Sequence, residues 1–425
     1  MRIRIACMVL VWLASATVTR ADWGVNQNQD LEWLVGDAQF FAPRDLSDFD
    51  TKPRANEGVF FTADYLHWRV TPPRDSLIGD RRAADPGRLV LLARNDPRSR
   101  SILIGSVDPL LLRVQMNSLD TSWYRVEDFG GQDFSLGWVE DNYGWFVRGF
   151  EMHGRDQQID GTDTMVAFAD PQQLLRFVTP PDPIFGGPAD ITYLGVQFED
   201  LKAELETRFW TVEANFMYRF RTHYGDWLEF FAGPRYLNFS ESFDVRGWGG
   251  ILDDSWWYTD AHNHIVGPQI GLRYFKRYSS WQVSVEGRFM PAVNFQDIRQ
   301  MSHLASTGGG TYLQGATSLG GQWFEISPAS EANPFGEFLA PLQSSSNDSA
   351  QETQFSVVSE LRVQASYIVT RKINLKIGYN LMYVSGLARP TSMVEYTFPQ
   401  MGIRENDNNQ SMFAHGFNFG VEINH

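Results

Sequence analysis

The strongest constraint on this chain is a pair of adjacent runs in which every second residue is apolar. Within residues 354–390, Leu361, Val363, Ala365 and Tyr367 alternate with Glu360, Arg362, Gln364 and Ser366. After a polar turn at Thr370, Arg371 and Lys372, a second run sets Ile373, Leu375, Ile377, Tyr379, Leu381 and Tyr383 against Asn374, Lys376, Gly378 and Asn380. A strict period of two means strands with two unlike faces. One face holds charges and amides, the other long apolar residues ending in tyrosine. Such a wall suits the boundary between lipid and a wet interior, and it also suits a half-exposed strand of a soluble β-domain. The hairpin alone does not separate the two.

The rest of the chain does. Val59, Phe61, Ala63 and Tyr65 oppose Thr62 and Asp64; further strands are expected over 134–140 and 145–152. Trp210, Val212, Ala214, Phe216 and Tyr218 oppose Thr211, Glu213, Asn215 and Arg219, and 227–239, 263–275, 281–289 and 413–423 continue the series. That makes about ten strands. Their connections alternate between short turns (141–144, 221–225, 277–280, 370–372) and long segments (70–132, 153–203, 240–261, 294–352, 384–410). The pattern predicts an all-β fold, a transmembrane antiparallel up-and-down β-barrel of about ten strands with short periplasmic turns and long outer loops.

The flanks agree with export. Arg2 and Arg4 precede an apolar run over 5–14 followed by small residues, so residues 1–21 read as a secretory signal peptide, 22–56 as a periplasmic leader and 57–425 as the barrel. The single cysteine, Cys7, falls in the signal, which leaves no disulfide framework. The chain carries 36 Lys and Arg against 51 Asp and Glu, a net −15 that becomes −18 once Arg2, Arg4 and Arg20 are removed. That balance excludes nucleic-acid binding driven by net charge. After the signal, no apolar stretch approaches the roughly 20 residues of a spanning helix, so a membrane form of this chain has to be a closed barrel.

Catalytic signatures are lacking. No Gly-x-Ser-x-Gly elbow, phosphate-binding loop or His-Glu-x-x-His pair occurs, and no cofactor, metal site or enzymatic activity is expected. His262 and His264 near Asp260 read as a solvated strand end rather than a metal site, because two imidazoles make no closed ligand set. Asp253, Asp254, Asp260 and His264 could serve as acid and base at a loop base, but the sequence shows only that they are close along the chain. The acidic segments 160–163 and 405–407 lack the spacing of a cation loop. The inward charges Glu213, Arg219, Glu229, Arg235, Glu286, Arg288, Glu360, Arg362, Lys376 and Glu422 say more. They could pair across the lumen and fill it, or line a water-filled passage and set its selectivity; a ten-stranded bore favours a plugged or very narrow lumen. The aromatic cluster Trp248, Trp256, Trp257 and Tyr258, placed in an outer loop, could be interfacial girdle, loop mini-core or ligand platform.

Four blocks also resemble the planctomycetal outer-membrane β-barrel proteins, a porin-like family. Residues 60–68 (Phe-Phe-Thr-Ala-Asp-Tyr-Leu-His-Trp) look like its opening strand, and 263–271, with Asn263, Gly267, Gln269 and Gly271, are similar to an inner one. Residues 378–383 followed by Ala388, Arg389 and Pro390 resemble its penultimate strand, and 415–422 its closing one. Pro268 departs from a regular strand and suggests a bulge or an end of pairing. The resemblance implies the barrel fold and the outer membrane, with membrane lipid and the barrel assembly machinery as partners. Two functions are then open: a narrow channel for small solutes, or a non-conducting structural or surface-interaction barrel whose loops bind envelope polymers.

Overall fold

The computed structural model describes residues 58–80, 89–94, 102–106, 118–140, 142–154, 156–169, 193–221, 226–249, 252, 254–278, 280–304, 324–326, 344–370 and 372–424. The expected signal and leader, 1–56, lie outside them. Ten strands form the ring: β1 (Gly58–Val70), β2 (Glu127–Glu140), β3 (Tyr143–His153), β4 (Tyr193–Arg221), β5 (Trp227–Trp248), β6 (Ser255–Tyr278), β7 (Trp281–Leu304), β8 (Ser344–Ile368), β9 (Ile373–Leu387) and β10 (Gln410–Asn424). Each pairs antiparallel with its sequence neighbour, and β1 pairs with β10, so the sheet has no free edge within the ring. Closure leaves no strand edge facing lipid, which a spanning sheet requires.

The register fixes the barrel's shape. Starting at Gln351 on β8, successive partners run through Asp297, His262, Ser240, Arg208, His153, Gly130, His67, Phe417 and Tyr379, and the circuit returns to β8 at Val363. The displacement from Gln351 to Val363 is twelve residues. Ten strands with a shear of twelve imply a strand tilt of roughly 40° and a backbone radius of about 10 Å. Side chains can fill such a bore.

The outward face carries a belt of lipid-compatible side chains. On β4 the outward positions from Trp210 to Phe220 are Trp210, Val212, Ala214, Phe216, Tyr218 and Phe220. These eleven residues match the roughly 9–11 of a tilted spanning strand. Val266, Pro268, Ile270, Leu272 and Tyr274 on β6, and Leu361, Val363, Ala365 and Tyr367 on β8, continue the belt. Lipid is therefore the barrel's solvent at this level.

Several segments expected as loops are strand. β4, β5, β6, β7 and β8 run 22–29 residues and rise well beyond the belt. There the outward face turns polar (Lys202, Glu204, Glu206 and Arg208 on β4) and the inward face apolar (Leu201, Ala203 and Leu205). A further strand, Gln157–Ala169, pairs with this upper part of β4. Pro268 makes no bulge: it sits opposite Pro234, and β6–β7 pairing lapses around Pro268 and Pro291 but resumes in the same register. All three prolines point outward, so each removes a donor without shifting a face.

Candidate functional site

The barrel encloses a column of inward side chains whose character changes with height. At the belt's level every strand contributes charge or amide. Asp133 on β2 meets Arg148 at 2.7 Å and Arg362 at 3.1 Å. Arg148 reaches Glu360 at 3.3 Å and Glu213 at 3.8 Å, and Arg235 joins Glu360 at 3.0 Å and Glu213 at 3.6 Å. Glu213 also holds Arg288, which contacts Glu286, which contacts Arg273. Arg273 pairs with Glu229 at 3.2 Å, and Glu229 with Arg219 at 2.5 Å. Eleven ionisable groups on seven strands thus form one unbroken chain, six guanidines to five carboxyls. Lys376 and Asp64 form a separate pair at 3.3 Å, and Glu422 accepts from Asn374 at 3.1 Å and Asn424 at 3.0 Å.

All ten charges singled out from the sequence therefore face the interior, nine of them buried and Glu422 partly exposed. Sequence reading omitted four members. Asp64 was on the polar face of β1, Asp133 lies one residue before the expected strand start, and Arg148 and Arg273 sit at inward positions of strands whose faces had not been separated. Alternation counted outward from the exposed aromatics Trp145 and Tyr274 finds the last two.

Below the network, toward the short turns, lies a cavity of ≈ 70 Å³ whose lining includes Gln282, Ser366, Asn374 and Glu422. Above it the inward side chains turn apolar: Leu66, Trp68, Phe150, Phe209, Phe239 and Met382 belong to one buried layer, with Phe150 and Phe209 edge to face at 5.2 Å. Higher still, the connection between β9 and β10 folds into the barrel mouth. Gly386, at φ +71°, turns the chain inward, and the short helix Pro390–Met393 is entirely buried.

Wall side chains hold this plug by its backbone. Asn263 donates to the Ala388 carbonyl at 2.9 Å and accepts from the Ala388 amide at 2.8 Å, as a neighbouring strand would. Asn294 and Gln296 donate to the Gly386 carbonyl at 2.7 and 3.0 Å, and Gln296 also to that of Asn408 at 3.0 Å. The Arg389 guanidinium donates to Glu241 at 2.8 Å and to the Thr71 carbonyl at 3.1 Å, both charged groups being buried. Sequence reading gave none of these residues a part in holding a plug, although Asn263, Ala388 and Arg389 stand in the blocks that carry the family resemblance. The available signal is an isolated amide or acid at an inward position between apolar ones, as Asn263 is between Ala261 and Ile265.

The aromatic cluster divides. The expected outer loop is a strand pair, β5 ending at Trp248 and β6 starting at Ser255, because inward apolar positions there complete a core. Trp257 is fully buried in it with Phe168, Phe198 and Tyr396, whereas Trp256 and Tyr258 point outward, half-buried, and Trp248 is exposed at its strand end. His262 pairs with Asp260 at 2.9 Å and His264 accepts or donates at the Tyr236 hydroxyl, 2.7 Å away, all on the outer surface. The Asp260 hydrogen bond raises the His262 pKa. Asp253 lies outside the described residues.

A family profile described as "Putative beta barrel porin-7 (BBP7)" matches residues 129–425. Among solved structures, the chain is similar to the outer membrane protease OmpT from Escherichia coli (8% identity, 87% of this chain and 97% of that one, TM-score 0.36). It is also similar to Neisserial surface protein A (8%, 87% and 98%, 0.27) and to a Pseudomonas aeruginosa FadL homologue (7%, 91% and 96%, 0.27). No curated protein matches.

Proposed function

The chain belongs to the beta barrel porin-7 family, and from that premise we propose that it is a narrow channel for small solutes that rests closed. The observation carrying this reading is what fills the lumen: an eleven-membered chain of ion pairs above a polar-lined cavity and beneath an apolar layer and a plug latched by side chains. A bore of this size can be filled with apolar groups, and a buried ion-pair network is commonly no more stable than such a filling. Charges that can exchange partners are what a polar passage needs. In this reading the network is the filter and residues 388–409 are the gate. The six described histidines, His67, His153, His262, His264, His303 and His415, all lie on outward faces. Export through residues 1–21 and insertion by the barrel assembly machinery belong to the same proposal.

Planar-bilayer conductance tests it. The intact barrel should show small, rare openings. Replacing residues 388–409 by a short Gly/Ser linker should raise the current, and Glu241→Gln, which frees Arg389, should raise opening frequency less. Folding is verified by heat-dependent gel mobility. If the folded linker variant and Glu241→Gln both carry no more current than the intact protein, the barrel is structural.

A further inference from the structure

The prolines of the belt stand in one row. Pro234 on β5 is opposite Pro268 on β6, and Pro268 is opposite Pro291 on β7. Between β5 and β6 the ladder continues through that row, but between β6 and β7 it is interrupted from Val266 opposite Val293 to Ile270 opposite Phe289. Pro268 and Pro291 are the residues that would donate to each other there, and neither has an N–H. The wall therefore carries a slit without ladder bonds, about 13 Å long at the rise of an extended strand. Central strands ordinarily exclude proline for this reason, and orphaned carbonyls are costly at membrane depth.

Both sides of the slit are apolar. Outward, Val266, Ile270, Phe289 and Val293 are exposed to lipid. Inward, Ile265, Met290 and Ala292 belong to the buried apolar layer. Gly267, between Ile265 and Gln269, sets no side chain over the slit, and a Cβ there would run into the Pro291 carbonyl. Just above lie the latch amides Asn263 and Asn294, which hold Ala388 and Gly386 of the plug. Just below, Gln269 is tied to Glu213 and Asn215 at 2.8 Å each, where the ion-pair network begins. The slit thus opens on the apolar layer, under the gate and over the filter. A second interruption, between β4 and β5 at Ala214 and Asn215, lacks one donor and has Glu213, Asn215 and Arg235 behind it, so it leads to charge.

We propose that the β6–β7 slit is a side exit through which small hydrocarbon-like molecules pass between the apolar layer and the surrounding lipid. Here the strands part without breaking a hydrogen bond, and an apolar molecule keeps apolar neighbours throughout. The way down would instead take it across the ion-pair network. Supply from outside rests on the plug opening, as in the channel reading; the slit itself does not.

Photolabelling of the refolded full chain in lipid vesicles tests the exit. The probe is trifluoromethyl phenyl diazirine, a small apolar carbene precursor that partitions into lipid, and adducts are located residue by residue by mass spectrometry. Inward Ile265, Met290 and Ala292 should be labelled along with outward Phe289 and Val293. Pro268→Val with Pro291→Val supplies both missing donors and should cut the inward labelling about tenfold, since two hydrogen bonds must then break for the strands to part. The outward labelling should not change. Pro291→Val alone supplies one donor and should fall between, and heat-dependent gel mobility verifies folding of each variant. Inward labelling that is absent from the full chain, or undiminished in the double variant, overturns the exit. Inward labelling in a barrel that stays silent in bilayers even without its plug removes the channel and keeps the exit; current without inward labelling does the reverse.

Discussion

β4 is one unbroken strand that folds for opposite reasons along its length. From Trp210 to Phe220 its outward residues are apolar and its inward ones are Thr211, Glu213, Asn215, Met217 and Arg219. From Leu201 to Arg208 the outward ones are Lys202, Glu204, Glu206 and Arg208, and the inward ones are apolar or Thr207. Strand pairing takes no notice: the β4–β5 register runs unshifted from Asp200 opposite Trp248 to Arg221 opposite Trp227. What inverts the faces between Arg208 and Trp210 is the solvent outside. The upper barrel meets water and is held by an ordinary hydrophobic core, whereas the lower barrel meets lipid and is held by packing, closure and polar contacts within.

The sharpest way to break that contrast is to remove the same acid type from each half. Glu213→Gln leaves Arg148, Arg235 and Arg288 short of their common partner, and breaking a buried network this way should cost about 3–5 kcal/mol. Glu206→Gln dissolves an exposed pair with Arg208, and such pairs contribute roughly 0–1 kcal/mol. Urea unfolding in lipid vesicles measures both. Comparable losses would mean that the lower network is not a unit. The converse test sits in the upper core. Trp257→Ala opens a cavity among Phe168, Phe198 and Tyr396, at about 3–5 kcal/mol for an aromatic truncation. The damage should stay local, with new protease cleavage in the upper strands while the lipid-covered belt remains intact. Cleavage throughout the barrel would show that the halves unfold together.

A smaller effect tests the outer surface. Phe216→Arg places a charge in the lipid belt, where about 2–4 kcal/mol is expected near mid-bilayer. Ser242→Arg, outward on β5 above the belt, should stay within about 0.5 kcal/mol. If Ser242→Arg costs as much, lipid reaches higher on the wall than the outward polar residues indicate.

The same inversion explains what the sequence disclosed. Where lipid touches the wall the apolar positions are long, aromatic and strictly alternate, so the belt, the strand number and ten inward charges were legible. Above it, residues such as Ser240, Ser242, Asp244 and Arg246 face water while Phe243 and Val245 face in, broken by Glu241 and Gly247. A water-exposed strand with a short core face looks like a loop, and those strand extensions were read as loops. The plug latch was illegible for another reason. Asn263 and Glu241 sit 22 residues apart and meet residues 388–389 only because the circuit closes at a shear of twelve, a property of the whole ring. The ion-pair chain lies between: its members show as inward charges, but which acid meets which guanidinium is decided by that same stagger.

The mildest test uses pH and acts through His262 of the upper half. Hydrogen bonding to Asp260 lifts the His262 pKa; burial and Arg299 oppose this, and Asp297 on the neighbouring strand assists. A histidine whose folded pKa is raised contributes stability fully below its unfolded value of about 6.5 and loses it as pH climbs through the raised one. The upper strands should therefore become slightly easier for protease to open between mildly acidic pH and the far side of that raised pKa. Asp260→Asn should flatten the trend. In the lower half the guanidiniums keep their charge throughout this range, so Glu213→Gln should lower stability without changing its slope against pH over that interval. A slope that survives Asp260→Asn would show that the His262–Asp260 pair is not its source.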